Sequence, residues 1–208
     1  MKKLSIAILA IITLASCTKE NKEHPKDYLT ISGKFDNNKD AFITIKNKRK
    51  DIIKEIKFNE DGTFKDTLKV IVKDVYFIST NSKNKAPIHL DNGYNLTLNG
   101  DSNNFLNSFK YTGNGADSNN FIISQFNFNK KALGKNPRQI FALEKEQFKI
   151  KVRQIALGID SVTNIYKNVD SILLANSKMQ KNRTISFFNQ NYDKIHKLLL
   201  EKKEKSSK

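Results

Sequence analysis

The sequence predicts an α+β fold in which a small antiparallel β-sandwich or open barrel precedes a long α-helical hairpin. Three observations lead to this fold class. Apolar and polar residues alternate with a period of two over residues 28–114. Apolar residues recur at spacings of three and four over residues 148–199. Gly113 and Gly115 lie where the first pattern gives way to the second. We therefore expect a sandwich domain at 28–114 and a helical segment at 115–205.

The first 27 residues have the pattern of a bacterial lipoprotein signal. Lys2 and Lys3 give residues 1–3 a positive charge, residues 4–13 form an apolar core, and the small residues 15–16 precede Cys17, the only cysteine of the chain. The apolar run is far shorter than the roughly 20 residues that a membrane-spanning helix needs. We predict a signal peptide at 1–16, a lipidated Cys17 and a flexible charged tether that extends to residue 27.

Short strands follow one another from Tyr28 onward. The alternation predicts seven or eight of them, centred on 29–35, 43–45, 52–58, 63–70, 75–80, 86–90, 94–98 and 109–112. Asp61-Gly62 and Asn92-Gly93 are predicted to be hairpin turns. The glycines before Phe121 resemble a dinucleotide fingerprint only weakly, because Ser118 replaces the third glycine and no βαβ unit surrounds them. We interpret them as a structural turn.

Helical patterning begins after Gly115. A helix is predicted at 121–133, and Asn136-Pro137 indicates the start of a second helix that runs to Asn176, about 58 Å at 1.5 Å per residue. Gly158 could bend it. A polar break is predicted at 176–183, followed by another apolar seam at 185–199. We expect Ile155, Ile159 and Val162 to be buried against Ile185, Phe188 and Tyr192 or against the sandwich. Residues from Glu201 are predicted to fray, and residues 206–208 to form a disordered tail.

The sequence lacks the residue patterns of common catalytic and metal sites. Once Cys17 is lipidated, no thiol remains for a disulfide, a CxxC pair or a thiolate nucleophile. His24, His89 and His196 are far apart and lack metal-ligand spacing, and His89 is expected to be a solvent-facing strand residue. We predict a non-enzyme with no catalytic residue, cofactor or metal.

The formal net charge is +16, and it falls to +14 when residues 1–16, with their two lysines, are removed. Nucleic-acid binders concentrate basic residues on one face and favour arginine. Here the lysines are spread along the chain and there are four arginines: Arg49, Arg138, Arg153 and Arg183. The charge therefore favours anionic lipid headgroups or polysaccharide as partners rather than nucleic acid.

The order of several short motifs resembles a known family. These are the lipidation signal, residues 28–33 (YLTISG), 61–64 (DGTF), 89–93 (HLDNG) and 111–121. Together they resemble the N-terminal domain of unknown function that precedes the thioredoxin-like domain in envelope lipoproteins of the Bacteroidota. In that family a β-rich domain and a helical segment lead into a thiol–disulfide oxidoreductase domain. Lys208 falls about where the redox domain would begin, so the resemblance implies an accessory module without the catalytic half.

Two smaller features resemble the same cellular setting. Lys19-Glu20 partly matches the signal that sends such lipoproteins to the outer leaflet, which implies an outer-membrane location at the periplasmic face or the cell surface. Thr67, Ser161 and Ser171 each follow an aspartate and precede an apolar residue, as in the O-glycosylation site of that phylum. Burial beside the helical seam could prevent modification of the two serines.

These observations favour a lipid-anchored envelope protein that acts as a non-catalytic scaffold or interaction module, with an envelope protein or anionic polysaccharide as partner. Two alternatives stay open. The protein could be the truncated or split accessory half of a thioredoxin-like oxidoreductase, or it could bind an anionic glycan or lipid.

Overall fold

The computed structural model describes residues 26–80 and 84–206. The predicted signal peptide, Cys17, His24 and most of the tether lie outside the described residues, as do residues 207 and 208 of the predicted tail. What is described belongs to the α+β class, as the sequence predicts.

Eight strands form two four-stranded sheets that enclose one apolar core. One sheet has the order β4-β1-β7-β8 and the other β3-β2-β5-β6. All eight predicted strands are present, because strict alternation places one set of side chains toward the facing sheet. The strands are β1 (Leu29–Asp36), β2 (Phe42–Lys46), β3 (Ile52–Lys57), β4 (Thr63–Leu68), β5 (Asp74–Ser79), β6 (Lys85–Leu90), β7 (Asn95–Asp101) and β8 (Lys110–Asn114).

The sheets are mostly antiparallel, as predicted, with one parallel pair, but the two predicted hairpins are wrong. Strands β1 and β7 run parallel, whereas the other pairs are antiparallel. The turns at Asp61-Gly62 and Asn92-Gly93 are not hairpins, since each connects a strand of one sheet to a strand of the other. Gly62 and Gly93 do adopt positive φ, at 78° and 86°. A glycine of this kind permits a tight reversal, but the facing layers decide which strands pair.

Aromatic rings close one end of the sandwich. The short helix α1 (Phe105–Ser108) and the residue after it bring two phenylalanines onto Phe35 of β1, with ring centroids 5.6 and 5.4 Å from the Phe35 ring. Phe58 and Phe64 pack on the same ring at 5.8 and 5.7 Å. All of these side chains are buried, so this end of the core is shielded from water.

Three long helices follow the sheets. Helix α2 (Ala116–Leu133) begins five residues earlier than predicted, directly after Gly115, whose φ of 93° allows the reversal from β8. Asn136-Pro137 begins a 3₁₀ helix at Pro137–Ala142, and its Asn136 side chain accepts a hydrogen bond from the backbone N–H of Arg138. Helices α3 (Lys145–Ile165) and α4 (Ser171–Ser206) form the antiparallel hairpin.

The predicted position of the hairpin turn is wrong. The single helix expected from 138 to 176 is interrupted, and the chain turns at residues 166–170. Asp170 caps α4, because its Oδ1 accepts hydrogen bonds from the backbone N–H groups of Ile172 and Leu173. The polar run at 176–183 lies inside α4, where Lys, Met, Gln and Arg are good helix formers. The predicted fraying from Glu201 is wrong as well, since α4 continues to Ser206.

The apolar seams of the two helices form a second core. Phe148, Val152, Ile155 and Ile159 of α3 are buried with Phe188 and Tyr192 of α4, whereas Val162 and Ile185 are only half-buried. The two helices run antiparallel, because Phe148 near the start of α3 packs on Tyr192 in the second half of α4, with ring centroids 4.2 Å apart.

Gly158 has a packing role in the second core. A Cβ at this position would lie 2.1 Å from Cζ of Phe128 on α2. The missing side chain therefore lets the Phe128 ring sit directly on the backbone of α3. This close approach ties α2 into the second core.

We predict that Ile159→Asp strongly destabilises the helical region. Ile159 is 5% exposed, and an unpaired carboxylate at that depth costs several kcal/mol, a large share of the roughly 5 to 15 kcal/mol that keeps a domain folded. Circular dichroism during thermal unfolding should show lower helicity or a lower Tm.

Ile150→Asp is the matched control, because it makes the same change on the same helix where the side chain is 49% exposed. Its Tm should stay close to that of the parent protein. Equal destabilisation by both substitutions would contradict the assignment of Ile159 to the second core.

Candidate functional site

The sandwich meets the helices at a cluster of polar side chains, which we call the junction cluster. It comprises Lys73, His89, Asp91, Tyr94, Ser118 and Asp170. The loop before β5, strand β6 and the turn after it, the first turn of α2 and the turn between α3 and α4 all contribute to it. It has the greatest concentration of shifted pKa values among residues 26–80 and 84–206, which makes it the first place to look for chemistry.

Two adjacent asparagines of α2 hold the edge strands of both sheets. The backbone N–H of His89 on β6 donates to Oδ1 of Asn119 at 2.7 Å, and Nδ2 of Asn119 donates to the His89 carbonyl at 2.9 Å. Asn120 makes the same pair of bonds to the backbone of Tyr111 on β8, at 2.9 and 2.8 Å. Each amide satisfies the donor and acceptor that an edge strand would otherwise leave unpaired.

The expectation that His89 faces solvent is wrong. His89 is 2% exposed because α2 lies over β6 and covers it. The Tyr94 hydroxyl lies 3.2 Å from its Nδ1. Burial lowers the pKa of His89, although the nearby carboxylate of Asp170 acts in the opposite direction. The imidazole is therefore neutral at neutral pH.

Lys73 is held between two carboxylates. Its Nζ lies 2.7 Å from Oδ2 of Asp170 and 3.2 Å from Oδ2 of Asp91. The hydrogen bond with Asp170 raises the pKa of Lys73 well above its usual range. Burial pushes the pKa of Asp170 upward, but the bonds from Lys73 and from the backbone of Ile172 outweigh it and hold that pKa below its ordinary value. The ion pairs thus connect the sandwich to the turn before α4.

The hydroxyl of Ser118 completes this connection. It accepts a hydrogen bond from the backbone N–H of Asp170 at 2.9 Å, and Oδ2 of the neighbouring Asp117 accepts one from Asn168 at 3.1 Å. Farther along, the hydroxyls of Ser124 and Tyr166 lie 2.7 Å apart. The start of α2 therefore holds the whole 166–170 turn in place.

The protonation states of the junction cluster suit a structural joint. His89 is neutral, Lys73 and Asp170 are charged, and burial raises the pKa of Tyr94 so that its phenol stays protonated. Each of these groups already has a partner within the protein. No group of three or more metal-ligating side chains occurs in the parts of the chain that the structure describes.

A small cleft of about 330 Å³ lies beside the junction cluster, between Tyr94 and the Gly113–Asp117 segment. Gly113 and Gly115 adopt φ values of 91° and 93°, which confirms the predicted structural turn. A Cβ at Gly115 would lie 2.4 Å from the Tyr94 ring. The glycines serve this close contact, and no βαβ unit surrounds them.

The structure places the three predicted O-glycosylation residues far apart along the fold, and all are exposed. Thr67 lies on the edge strand β4, Ser161 on α3 and Ser171 at the start of α4. Burial therefore does not shield the two serines. Each preceding aspartate is bonded to a lysine: Asp66 to Lys54 at 2.9 Å, Asp160 to Lys181 at 2.6 Å, and Asp170 to Lys73 at 2.7 Å. These ion pairs give the aspartates a structural role, and modification of the hydroxyls stays a prediction.

Sequence reasoning missed the junction cluster. In the sequence His196 stands apart from other polar motifs just as His89 does. The structure places His196 on α4, outside the junction cluster, with its Nδ1 2.8 Å from the Phe141 carbonyl oxygen. The one available signal was the adjacent pair Asn119-Asn120 after a glycine turn, because asparagine commonly bonds to backbone groups near helix starts. The pair by itself does not predict which two strands its side chains contact.

Comparisons with protein families and with curated proteins found no match. Within the described helices, none is long and apolar enough to cross a membrane.

We predict that Asn119→Ala destabilises the fold by about 2 to 6 kcal/mol, because two buried backbone groups of His89 lose their partners at about 1 to 3 kcal/mol each. Urea unfolding monitored by circular dichroism measures this loss. Asn189→Ala, an exposed change on α4, should alter the free energy of unfolding little. If both substitutions had the same small effect, α2 would not hold β6 in the way described.

A pH dependence follows from His89. Its folded pKa is depressed, so the unfolded imidazole takes up a proton first as the pH falls through its ordinary value of 6.5. The stabilisation by the neutral imidazole is present above pH 6.5 and is lost as the pH falls through the folded pKa. We expect the free energy of unfolding to decrease as the pH falls below about 6.5, and His89→Gln to show a smaller decrease. Identical pH profiles for the two proteins would refute the role of His89.

Proposed function

We propose that the protein is a lipid-anchored lipoprotein of the bacterial cell envelope, located at the outer membrane, whose folded body is a non-catalytic scaffold or interaction module. The observation that carries this proposal is the complete signal pattern that ends at Cys17. A diacylglyceryl group and an N-acyl chain on Cys17 hold the protein in the membrane, since stable anchoring takes more than one chain.

The surface of the helical region supports an interaction role. Helix α4 has 36 residues, about 54 Å, and only a few of its side chains are buried. Met179 and Phe187 are 43% and 54% exposed, and they line an open depression of about 640 Å³ along one face of the helix. Exposed apolar area of this kind is more typical of a contact surface than of an enclosed catalytic pocket.

The bonding of the junction cluster supports a non-catalytic role. Its buried histidine, its exposed lysine and its two partly buried carboxylates are each engaged by another part of the fold. A catalytic base or nucleophile needs a free position beside it for a reacting group. The polar atoms of the junction cluster instead form the hydrogen bonds and ion pairs that connect the sandwich to the helices.

We predict that Cys17→Ser abolishes lipidation, because the hydroxyl cannot replace the thiol that carries the diacylglyceryl group. Metabolic labelling with a fatty-acid probe should mark the parent protein and not the variant, which should retain residues 1–16.

Ser16→Ala is the matched control, because it changes the neighbouring position while keeping a small residue before the thiol. It should be labelled as strongly as the parent. Equal labelling of the Cys17→Ser protein would overturn the proposed lipoprotein.

A further inference from the structure

Two basic loops meet at the end of the sandwich where the chain enters the fold, and we call this region the basic pole. It comprises residues 46–53, around the turn between β2 and β3, and residues 69–73, between β4 and β5. Lys48 of the first loop lies 2.7 Å from Asp74, directly after the second loop. The two loops therefore form one surface.

An aliphatic tip projects from the basic pole. Ile71 is 99% exposed and Val72 is 60% exposed. Their neighbours are fixed: Asn92 bonds both backbone groups of Val70 at 3.0 and 2.9 Å, and the Tyr76 hydroxyl donates to the Val72 carbonyl at 2.8 Å. These hydrogen bonds hold the backbone on both sides of Ile71, and no contact from residues 26–80 or 84–206 covers its side chain.

Cations surround this tip. A depression of about 600 Å³ is lined by Ile53, Ile71 and Val72 together with basic residues, and Asp74 is its one acidic residue. The basic residues of the lining are Lys48, Arg49 and Lys69. An aliphatic tip within a cationic rim is complementary to an anionic bilayer, because the tip enters the headgroup region while the cations face lipid phosphates.

Lys50 adds a charge in an unfavourable backbone conformation. Its φ is 74°, in the left-handed region that is unfavourable for a residue with a side chain and that glycine adopts freely. The side chain is exposed. The turn between β2 and β3 therefore presents Lys48, Arg49 and Lys50 in succession at a position where glycine would be the more stable choice.

The chain enters the fold at the same pole. Asp27 lies 2.7 Å from Lys69, the Tyr28 carbonyl accepts a hydrogen bond from Gly93 at 2.8 Å, and Leu29 pairs with Leu68. The ten Cα–Cα steps from Cys17 to Asp27 span at most about 35 Å when the chain is fully extended. A lipid on Cys17 would consequently keep the basic pole close to the bilayer, at a high effective concentration.

We propose that the basic pole docks on an anionic bilayer surface, with Ile71 and Val72 among the headgroups and Lys48, Arg49 and Lys50 against lipid phosphates. This inference rests on the proposed lipid anchor for its orientation and goes beyond it by naming the membrane-facing surface. A soluble anionic polysaccharide would engage the cations but not the aliphatic tip, so the two partners can be distinguished.

The chain contains no tryptophan, which allows a single fluorophore to report on the tip. The acylated full-length Ile71→Trp protein is reconstituted into vesicles of zwitterionic and anionic phospholipid that carry brominated acyl chains. The control is Phe42→Trp, 44% exposed at the opposite end of β2. We expect blue-shifted emission and bromine quenching for Ile71→Trp, and neither for Phe42→Trp.

Charge variants then test the cationic rim. In the Ile71→Trp background, Lys50→Gly removes a cation and relieves the left-handed backbone, so the fold should be at least as stable while the docked-to-undocked ratio falls about fivefold. Arg49→Gln should lower the ratio by a similar factor, and added salt or purely zwitterionic vesicles should weaken docking further.

Several results would overturn the inference. These are equal quenching of the two fluorophores, equal quenching of Ile71→Trp in zwitterionic vesicles, and a loss of vesicle cosedimentation by the unacylated Lys50→Gly protein that unacylated Ile71→Ser does not reproduce. The last outcome would indicate a polyanion site instead. Fatty-acid labelling of the same preparation shows separately whether the lipid anchor is present. The unacylated protein mixed with vesicles should still show the preference for anionic lipid.

Discussion

The side-chain amides of three asparagines hold the separate layers of this protein together. Asn119 and Asn120 each satisfy the N–H and the C=O of one residue on an edge strand, and Asn92 does the same for Val70 in the loop before β5. A bidentate amide mimics a neighbouring strand at a single position. It can therefore terminate a sheet edge with a helix or a turn, without a further strand and without a disulfide. The bonds of Asn119 and Asn120 join α2 to the edge strands of both sheets, and the position of α2 in turn places the helical hairpin.

Helix α2 connects two cores that would otherwise be independent. Its Ile123 packs in the sandwich core, while Phe128 packs over Gly158 in the helical core. Apolar burial provides most of the stability of each core. The ion pairs of Lys73 and the hydroxyl of Ser118 act at the boundary between the cores. Partly exposed ion pairs each contribute little to the free energy of folding. These contacts therefore serve to orient the α3–α4 hairpin as much as to stabilise it.

The loop at residues 69–73 links the proposed membrane surface to this joint. Lys69 contacts Asp27 where the chain enters the fold, Ile71 and Val72 project outward, and Lys73 contacts Asp170 at the start of α4. Five consecutive residues thus touch the tether, solvent and the helical hairpin. An anchored protein with this arrangement presents its basic pole to the bilayer and holds α4 in a defined orientation through the same loop. That geometry fits the proposed scaffold role better than it fits an enzyme with an enclosed active site.

The sequence by itself determined the features that depend on neighbouring residues. Period-two alternation placed all eight strands, and the glycines at 113 and 115 marked the change to helix, because backbone conformation and facing side chains are local properties. The signal that ends at Cys17 is likewise a short linear pattern, and it remains a prediction. Helical periodicity located the buried seam of α3 but not the turn, because a polar run on an exposed helix face is hard to distinguish from a break.

Only the tertiary structure decided which elements meet. The Asp61-Gly62 and Asn92-Gly93 turns connect opposite sheets because each strand pairs within the layer that buries its apolar face, and no local signal reports that layer. His89 is buried because a helix 30 residues farther along the chain covers its strand. The basic pole joins two loops that are separate in sequence and adjacent only after the strands pair. Pairing and burial are long-range contacts, so their outcome depends on the packing of the whole chain rather than on any one segment.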